Sequence, residues 1–114
     1  GRIINIGSVS SDYMPIPGHA VYAMTKGAVT SLTRGLARDL GPRGITVNNV
    51  QPGRIDTDLF RRAAGVHMNQ IREGIALKRV GTCEEVAELV AYLAGPAGAF
   101  ITGTSLKVDG GASA

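Results

Sequence analysis

Three side chains in the first quarter of the sequence could carry out proton transfer. Ser8 follows an apolar, strand-like run, Tyr22 follows a loop rich in proline and glycine, and Lys26 comes four residues after Tyr22. Residues four apart on a helix share one face, so a helix beginning near Tyr22 would bring its phenol within reach of the Lys26 ammonium. A hydroxyl, a phenol and a cation at one point suit proton transfer to a carbonyl oxygen.

Each of these groups has a definite chemical use. A free tyrosine has a pKa of about 10, too high for a general base near neutral pH, but a nearby ammonium favours the phenolate. A serine hydroxyl bonded to the same substrate oxygen would stabilise its developing charge. The simpler interpretations are an ordinary half-buried helix tyrosine for Tyr22, favoured if its spacing from Lys26 stood alone, and a strand-end hydroxyl bonded to loop backbone for Ser8.

Apolar periodicity predicts the elements that position these groups. Arg2–Ile6 is predicted to be a short buried strand. Apolar residues then recur at helical spacing from Ala20, which predicts an amphipathic helix of about twenty residues that ends at Gly41. Gly27 and Gly35 lie inside this helix, and close packing against the sheet or a partner helix would explain them.

The rest of the chain continues the alternation of strands and helices. Ile45–Val50 and Ser105–Val108 are predicted strands, and Thr82–Glu85 has the pattern of a capping box at the start of a helix. Thr57 could cap a short helix before a weakly patterned segment over residues 63–79. The fold class is therefore α/β, with right-handed parallel βαβ units, and three strands indicate half of a larger doubly wound sheet.

Composition excludes several classes of function. With 114 residues, 44% hydrophobic and 18% charged, the chain is typical of one globular domain. Scattered basic residues, a net charge of +3 and 4% aromatic residues argue against nucleic-acid binding. The single cysteine, Cys83, excludes an internal disulfide, and neither His19 nor His67 belongs to a cluster with ligand spacing, so no metal is predicted. We predict no membrane association and a cytoplasmic location, since no long apolar run or signal peptide is visible.

Five motifs, in order, resemble those of the short-chain dehydrogenase/reductase family. They are Ile4–Ser8, Tyr22–Lys26 (Tyr-x-x-x-Lys), Arg43–Asn48 followed by Pro52–Thr57, Phe100–Gly103, and Val108–Gly111. The 3-oxoacyl-(acyl carrier protein) reductase branch looks most similar. The resemblance covers essentially the whole chain and implies the C-terminal half of a Rossmann-like domain, whose amino-terminal half would hold the Gly-rich phosphate loop.

The resemblance also implies a reaction and its residues. The parent protein would interconvert a carbonyl and a secondary alcohol by hydride transfer with NAD or NADP, NADP being slightly preferred. Ser8, Tyr22 and Lys26 would be catalytic, with Tyr22 as the general acid/base. The cofactor would be held by Tyr22, Lys26, Pro52, Gly53, Ile55 and Thr57, of which Ile55 (through its backbone) and Thr57 would bind the carboxamide. For Thr57 a plain helix cap is the simpler interpretation, and it is compatible with a cofactor contact.

The same resemblance implies a substrate lid and partners. The lid would be the segment from Phe60 to Lys78, with Phe60, His67 and Met68 as its candidate residues. The partners would be a small carbonyl or alcohol substrate and further copies of the chain in a homotetramer or homodimer. The long helix would lie at one interface, and the last helix and strand at another.

Some features leave alternatives open. The loop between Ser8 and Tyr22 is one residue longer than the commonest family form, so Ser10 or Ser11 is an alternative to Ser8. A non-enzymatic binding or regulatory protein could keep the same fold and pocket. The sequence also begins without Met and lacks a phosphate loop, so a chain of this length by itself is predicted to be an inactive, aggregation-prone fragment.

Overall fold

The computed structural model describes residues 1–114 as a three-stranded parallel sheet with four α-helices. The strands are β1 (Arg2–Ile6), β2 (Thr46–Pro52) and β3 (Ser105–Val108), hydrogen-bonded in the order β1-β2-β3. The helices are α1 (Ala20–Leu40), α2 (Asp58–Ala64), α3 (Met68–Glu73) and α4 (Cys83–Ala94). The predicted α/β class is confirmed, and β2 extends two residues beyond its predicted end.

The long helix α1 buries a different face from the one its apolar residues predict. Thr30 and Thr33 are buried, whereas Val21 and Leu32 are 70% and 54% exposed. The buried hydroxyls bond to amide side chains of the sheet: Asn5 Nδ2 donates to Thr33 Oγ1 at 2.9 Å. The apolar stripe of this amphipathic helix therefore does not mark the face that packs on the sheet, because polar side chains that satisfy one another can replace apolar ones there.

The two glycines inside α1 are not explained by packing on the sheet. At both Gly27 and Gly35, no atom outside the helix backbone lies within 4 Å of the position a Cβ would take. Close packing against the sheet is thus wrong for this chain, and packing against a partner helix stays a prediction.

The segment between β2 and α4 is more regular than its sequence pattern indicates. α2 and α3 are joined by a single 3-10 turn over Gly65–His67. The predicted cap of α2 is confirmed, since Thr57 Oγ1 accepts from the Phe60 N–H at 3.1 Å. The predicted capping box of α4 is also confirmed: Thr82 Oγ1 accepts from Glu85 N at 3.2 Å, and Glu85 Oε2 accepts from Thr82 N at 2.8 Å. None of the helices combines the length and the apolar character needed to cross a bilayer.

Candidate active site

Ser8 is positioned by the end of β1. The preceding residue, Gly7, continues the strand pairing by donating its N–H to Val50 O at 2.8 Å. A Cβ at Gly7 would lie 2.5 Å from Asn49 Oδ1, so only glycine lets the chain turn this close to β2. Ser8 is only 7% exposed, and its Oγ accepts from Ser10 N at 3.1 Å, which leaves the hydroxyl proton free to donate.

Tyr22 and Lys26 lie one turn apart at the beginning of α1. Lys26 Nζ is 5.9 Å from the centroid of the Tyr22 ring, within the range of a cation–π contact. The same ammonium donates to Ile6 O at 3.2 Å, which ties α1 to the end of β1 and leaves two of its three N–H donors available. The phenol of Tyr22 has no hydrogen-bond partner within the chain, and the residue is 45% exposed.

Ser8 and Tyr22 line one open cleft of about 820 Å³. Its opposite wall is the turn after β2, together with apolar side chains of α2 and α4. No aspartate or glutamate lines it. Ser10 and Ser11 lie elsewhere, since Ser10 faces a neighbouring pocket and Ser11 Oγ accepts from Gln51 Nε2 at 2.6 Å. Of the three serines considered in the sequence, Ser8 alone shares a cleft with Tyr22.

Backbone hydrogen bonds fix the turn Pro52–Thr57 on both sides. Gly53 N donates to Val108 O at 2.9 Å, and Gly81 N donates to the carbonyl of Arg54 at 2.9 Å. A Cβ at Gly53 would approach Asp109 Cβ to 2.6 Å, so the turn lies directly against the end of β3. The turn is therefore fixed in place, and its groups that make no backbone hydrogen bond remain available to the cleft.

The turn leaves two hydrogen-bond donors free at the cleft wall. The backbone N–H of Ile55 has no acceptor, although Ile55 O accepts from Thr57 N at 2.9 Å. Thr57 uses its hydroxyl oxygen as the acceptor of the helix cap, so its hydroxyl proton remains available. Both residues line the cleft, as do Pro52 and Gly53.

Asp109 is held beside this turn by three hydrogen bonds. Its carboxylate accepts from Gly111 N at 3.0 Å and from Ser113 N and Oγ at 3.0 and 2.6 Å. Partial burial acts to raise the pKa of Asp109, but these hydrogen bonds outweigh it and lower the pKa below its ordinary value. Asp109 is therefore a fixed carboxylate at neutral pH.

Two exposed ion pairs secure the segments on either side of the cleft. Arg61 binds Asp56 through both oxygens, at 2.6 and 2.9 Å, and this contact lowers the pKa of Asp56. Arg79 binds Glu85 in the same bidentate way, and with the Thr82 N–H it lowers the pKa of Glu85 to about 2. Bidentate pairs add geometric specificity to their charge, so both stabilise the arrangement of the surrounding turns.

The predicted lid residues separate in the structure. Phe60 lines the cleft, whereas His67 and Met68 do not. A second pocket of about 350 Å³ adjoins the cleft, and the residues of α3 that line it are Gln70 and Ile71. The apolar residues of this segment are too weakly patterned to show which face of α3 packs inward. The sequence therefore could not indicate which lid residues line the cleft and which line the second pocket.

Several residues of the cleft had no role in the sequence-based prediction, among them His19, Arg54 and Cys83. Arg54 lines both the cleft and the second pocket, and its place between Gly53 and Ile55 was the signal that could have found it. Cys83 also lines the cleft, with its Sγ 3.8 Å from Asp56 O at the start of α4. The capping box located Cys83 on a helix but could not indicate which surface it faces.

The geometry can be compared with known proteins. The family model described as enoyl-(acyl carrier protein) reductase matches residues 1–113. This chain belongs to the short-chain dehydrogenase/reductase family. It is 44% identical over 111 residues to the 3-oxoacyl-[acyl-carrier-protein] reductase of Pseudomonas aeruginosa, covering 97% of this chain and 44% of that protein.

Another relative carries a different kind of name. The chain is 53% identical over 110 residues to the cyclic-di-GMP-binding biofilm dispersal mediator protein of Escherichia coli, covering 96% of this chain and 46% of that protein. The chain thus spans just under half the length of the curated relatives it matches.

Solved structures agree with the fold. A short-chain dehydrogenase/reductase from Serratia marcescens matches with a TM-score of 0.95 and 55% identity, over 100% of this chain and 46% of that one. A short-chain dehydrogenase from Burkholderia cenocepacia, solved in complex with NADP, matches with a TM-score of 0.93 and 48% identity, over 100% of this chain and 46% of that one.

Proposed function

We propose that the protein containing this chain is an NADP- or NAD-dependent oxidoreductase that interconverts a carbonyl and a secondary alcohol, with NADP preferred. The observation that carries the proposal is that Ser8 and Tyr22 share one cleft while the Lys26 ammonium lies beside the Tyr22 ring. Family membership and the oxidoreductase names of relatives support it. This chain would supply the catalytic half of a larger doubly wound domain.

In the proposed reaction, the substrate oxygen lies between two hydroxyl groups. Ser8 donates its free proton to that oxygen and so stabilises the negative charge that develops on it. Tyr22, whose phenol has no competing partner in the chain, transfers its proton to the same oxygen as the alcohol forms. Lys26 holds a positive charge 5.9 Å from the centroid of the Tyr22 ring, where it is attracted to the negative charge left as the proton departs. In the oxidative direction, the phenolate accepts the proton of the alcohol.

Residues that line the cleft, together with Lys26 beside it, fit the nicotinamide end of a cofactor. The free Ile55 N–H and the Thr57 hydroxyl could hold the carboxamide, and the two free donors of Lys26 could hold ribose hydroxyls. Pro52 and Gly53 would lie beside the ring. When bound, the cofactor supplies or accepts the hydride. NADP is preferred because the solved Burkholderia relative holds NADP.

We also propose that the protein assembles as a homodimer or homotetramer. The outer face of α1 leaves Val21, Met24 and Leu32 more than half exposed, and Phe100 is fully exposed after α4. Apolar side chains clustered on a surface mark an interface in many proteins. The implied partners are copies of the same chain, with a small carbonyl compound as substrate.

The direct test is Tyr22→Phe in the complete protein. Removing the hydroxyl should lower kcat/KM at least about 100-fold, as expected for loss of a general acid. Tyr92→Phe is the matched control, because Tyr92 is similarly exposed but lies on α4 outside the cleft. Activity close to wild type in Tyr22→Phe would rule out the proposed role.

A binding protein is the second candidate, favoured by the relative named for binding cyclic di-GMP. In this reading the fold and the cleft would serve ligand recognition rather than turnover. Calorimetric titration of the complete protein with NADPH, NADH and cyclic di-GMP distinguishes the two. Binding of cyclic di-GMP without binding of NADPH or NADH would favour this second function.

A further inference from the structure

Two pockets of the structure share a cationic residue, Arg54. The larger cleft contains Ser8 and Tyr22, and the second pocket lies against it, with Gly53 and Arg54 lining both. The walls of the second pocket are largely apolar, formed by Val9, Met14, Pro15, Ile16, Ile71 and Ile75.

Arg54 is partly buried as a residue, and its side chain has no partner. Arg61 and Arg79, which flank the same region, each bind a carboxylate in a bidentate pair. Arg54 makes no hydrogen bond and no ion pair through its side chain, although a guanidinium carries five N–H donors. Its backbone is nevertheless fixed, since Arg54 O accepts from Gly81 N at 2.9 Å.

The surroundings of Arg54 hold no compensating charge. No aspartate or glutamate lines either pocket, and Arg54 is the only arginine or lysine in both linings. An unpaired cation in a partly desolvated site attracts an anion more strongly than it would in open water. The planar guanidinium matches a carboxylate through two parallel hydrogen bonds.

We infer that Arg54 is a specificity-determining residue that binds a carboxylate of the substrate. The inference rests on the proposed reductase function and names its substrate class, an oxo acid. The carbonyl would lie at Ser8 and Tyr22, the carboxylate at Arg54, and the apolar part of the molecule in the second pocket. Neutral ketones and thioesters would lack the group that Arg54 recognises.

The test compares medium-chain oxo acids with the methyl ester of each, in the complete protein. Arg54→Gln should raise KM for the acids at least about tenfold, the expected effect of losing a hydrogen bond to a charged group, and should leave kcat/KM for the esters unchanged. Arg54→Lys should restore part of the affinity for the acids. Arg62→Gln is the matched control, because Arg62 is exposed on α2 and lines neither pocket.

Binding of the same compounds, and of NADPH, is measured alongside turnover. If Arg54→Gln weakens binding of the acids but no compound is turned over, the result supports a carboxylate-binding site at Arg54 and contradicts the proposed reductase function. If turnover occurs and the variant affects acids and esters equally, the inference is overturned. A loss of NADPH affinity as large as the loss for the acids also overturns it, since Arg54 would then serve the cofactor.

Discussion

The Lys26 ammonium donates a hydrogen bond to the carbonyl of Ile6 at 3.2 Å, which joins the first turns of α1 to the end of β1. Ile6 lies two residues before Ser8, and Lys26 lies one helical turn after Tyr22. Lys26 therefore has a positional role as well as its charge, because it holds the helix that carries the phenol against the strand that carries the serine.

Lys26→Met in the complete protein should lower kcat/KM by at least about 100-fold, since it removes the positive charge beside the phenol that transfers the proton. NADPH affinity should fall as well, because the two free donors are lost. Lys78→Met is a suitable control, since Lys78 is exposed and contacts only Glu73, away from the cleft. Unchanged activity in Lys26→Met would contradict the proposed mechanism.

Thr57 combines a helix cap with a free hydroxyl proton, and two substitutions separate these roles. Thr57→Ala should lower the free energy of unfolding by about 1 kcal/mol through loss of the cap and should also weaken NADPH binding. Thr57→Asp keeps a capping oxygen but has no proton to donate, so it should retain stability and still lose NADPH affinity. Chemical denaturation and cofactor titration measure the two effects. Equal NADPH affinity in both variants and wild type would leave Thr57 as a cap alone.

Gly7 is required by its contact with β2. Gly7→Ala would place a Cβ 2.5 Å from Asn49 Oδ1, and the resulting displacement should cost about 1–3 kcal/mol of unfolding free energy. Activity should fall too, because the adjacent Ser8 would move. Gly27→Ala is the matched control: no atom lies within 4 Å of its added Cβ, and it should be neutral or stabilising. A similar thermal midpoint for the two variants would show that the contact is unimportant.

Gly35 tests the proposed assembly through α1. It comes three residues after the exposed Leu32, and nothing in the chain itself contacts the position of its Cβ. In an isolated chain Gly35→Ala should raise stability by about 1 kcal/mol, whereas a helix packed closely on it from a second copy would be pushed away. We expect the variant of the complete protein to dissociate at higher concentration than wild type in sedimentation equilibrium. An unchanged mass with a raised thermal midpoint would place Gly35 outside any interface.

The sequence predicted most of the secondary structure because its local signals were strong. β1, β3, the bounds of α1 and both helix caps followed from β-branched runs, apolar periodicity and the Thr-x-x-Glu pattern. The buried face of α1 could not be predicted in this way, since Thr30 and Thr33 are buried by bonding to Asn side chains that are distant in sequence. Periodicity reports only where apolar residues recur, so it does not detect hydrogen-bonded pairs of polar side chains.

The candidate site was likewise predicted only in part from the sequence. The motifs located Ser8, Tyr22, Lys26 and the turn Pro52–Thr57. In the structure Ser8, Tyr22 and all of the turn except Asp56 line one cleft, whereas Lys26 does not line it but lies beside Tyr22. The sequence could not indicate that Arg54 lacks a partner while Arg61 has one. Pairing depends on which carboxylates reach which guanidinium in three dimensions, and spacing along the chain does not contain that information.

The stability of the folded chain should depend on pH through Glu85. Its pKa in the folded chain is lowered from 4.5 to about 2 by the Arg79 side chain and the Thr82 N–H. Because the folded pKa lies below the unfolded one, the stabilisation is fully present above pH 4.5 and is lost as the pH falls towards about 2. Wild-type unfolding free energy should therefore fall more steeply across this window than that of Glu85→Gln, as measured by urea denaturation at a series of pH values.

Glu84→Gln is the control, since Glu84 lies in the same turn but makes no hydrogen bond through its side chain. The difference should shrink in high salt, because the pair is exposed to solvent, and identical slopes for wild type and Glu85→Gln would mean that the capping box contributes no pH-dependent stability.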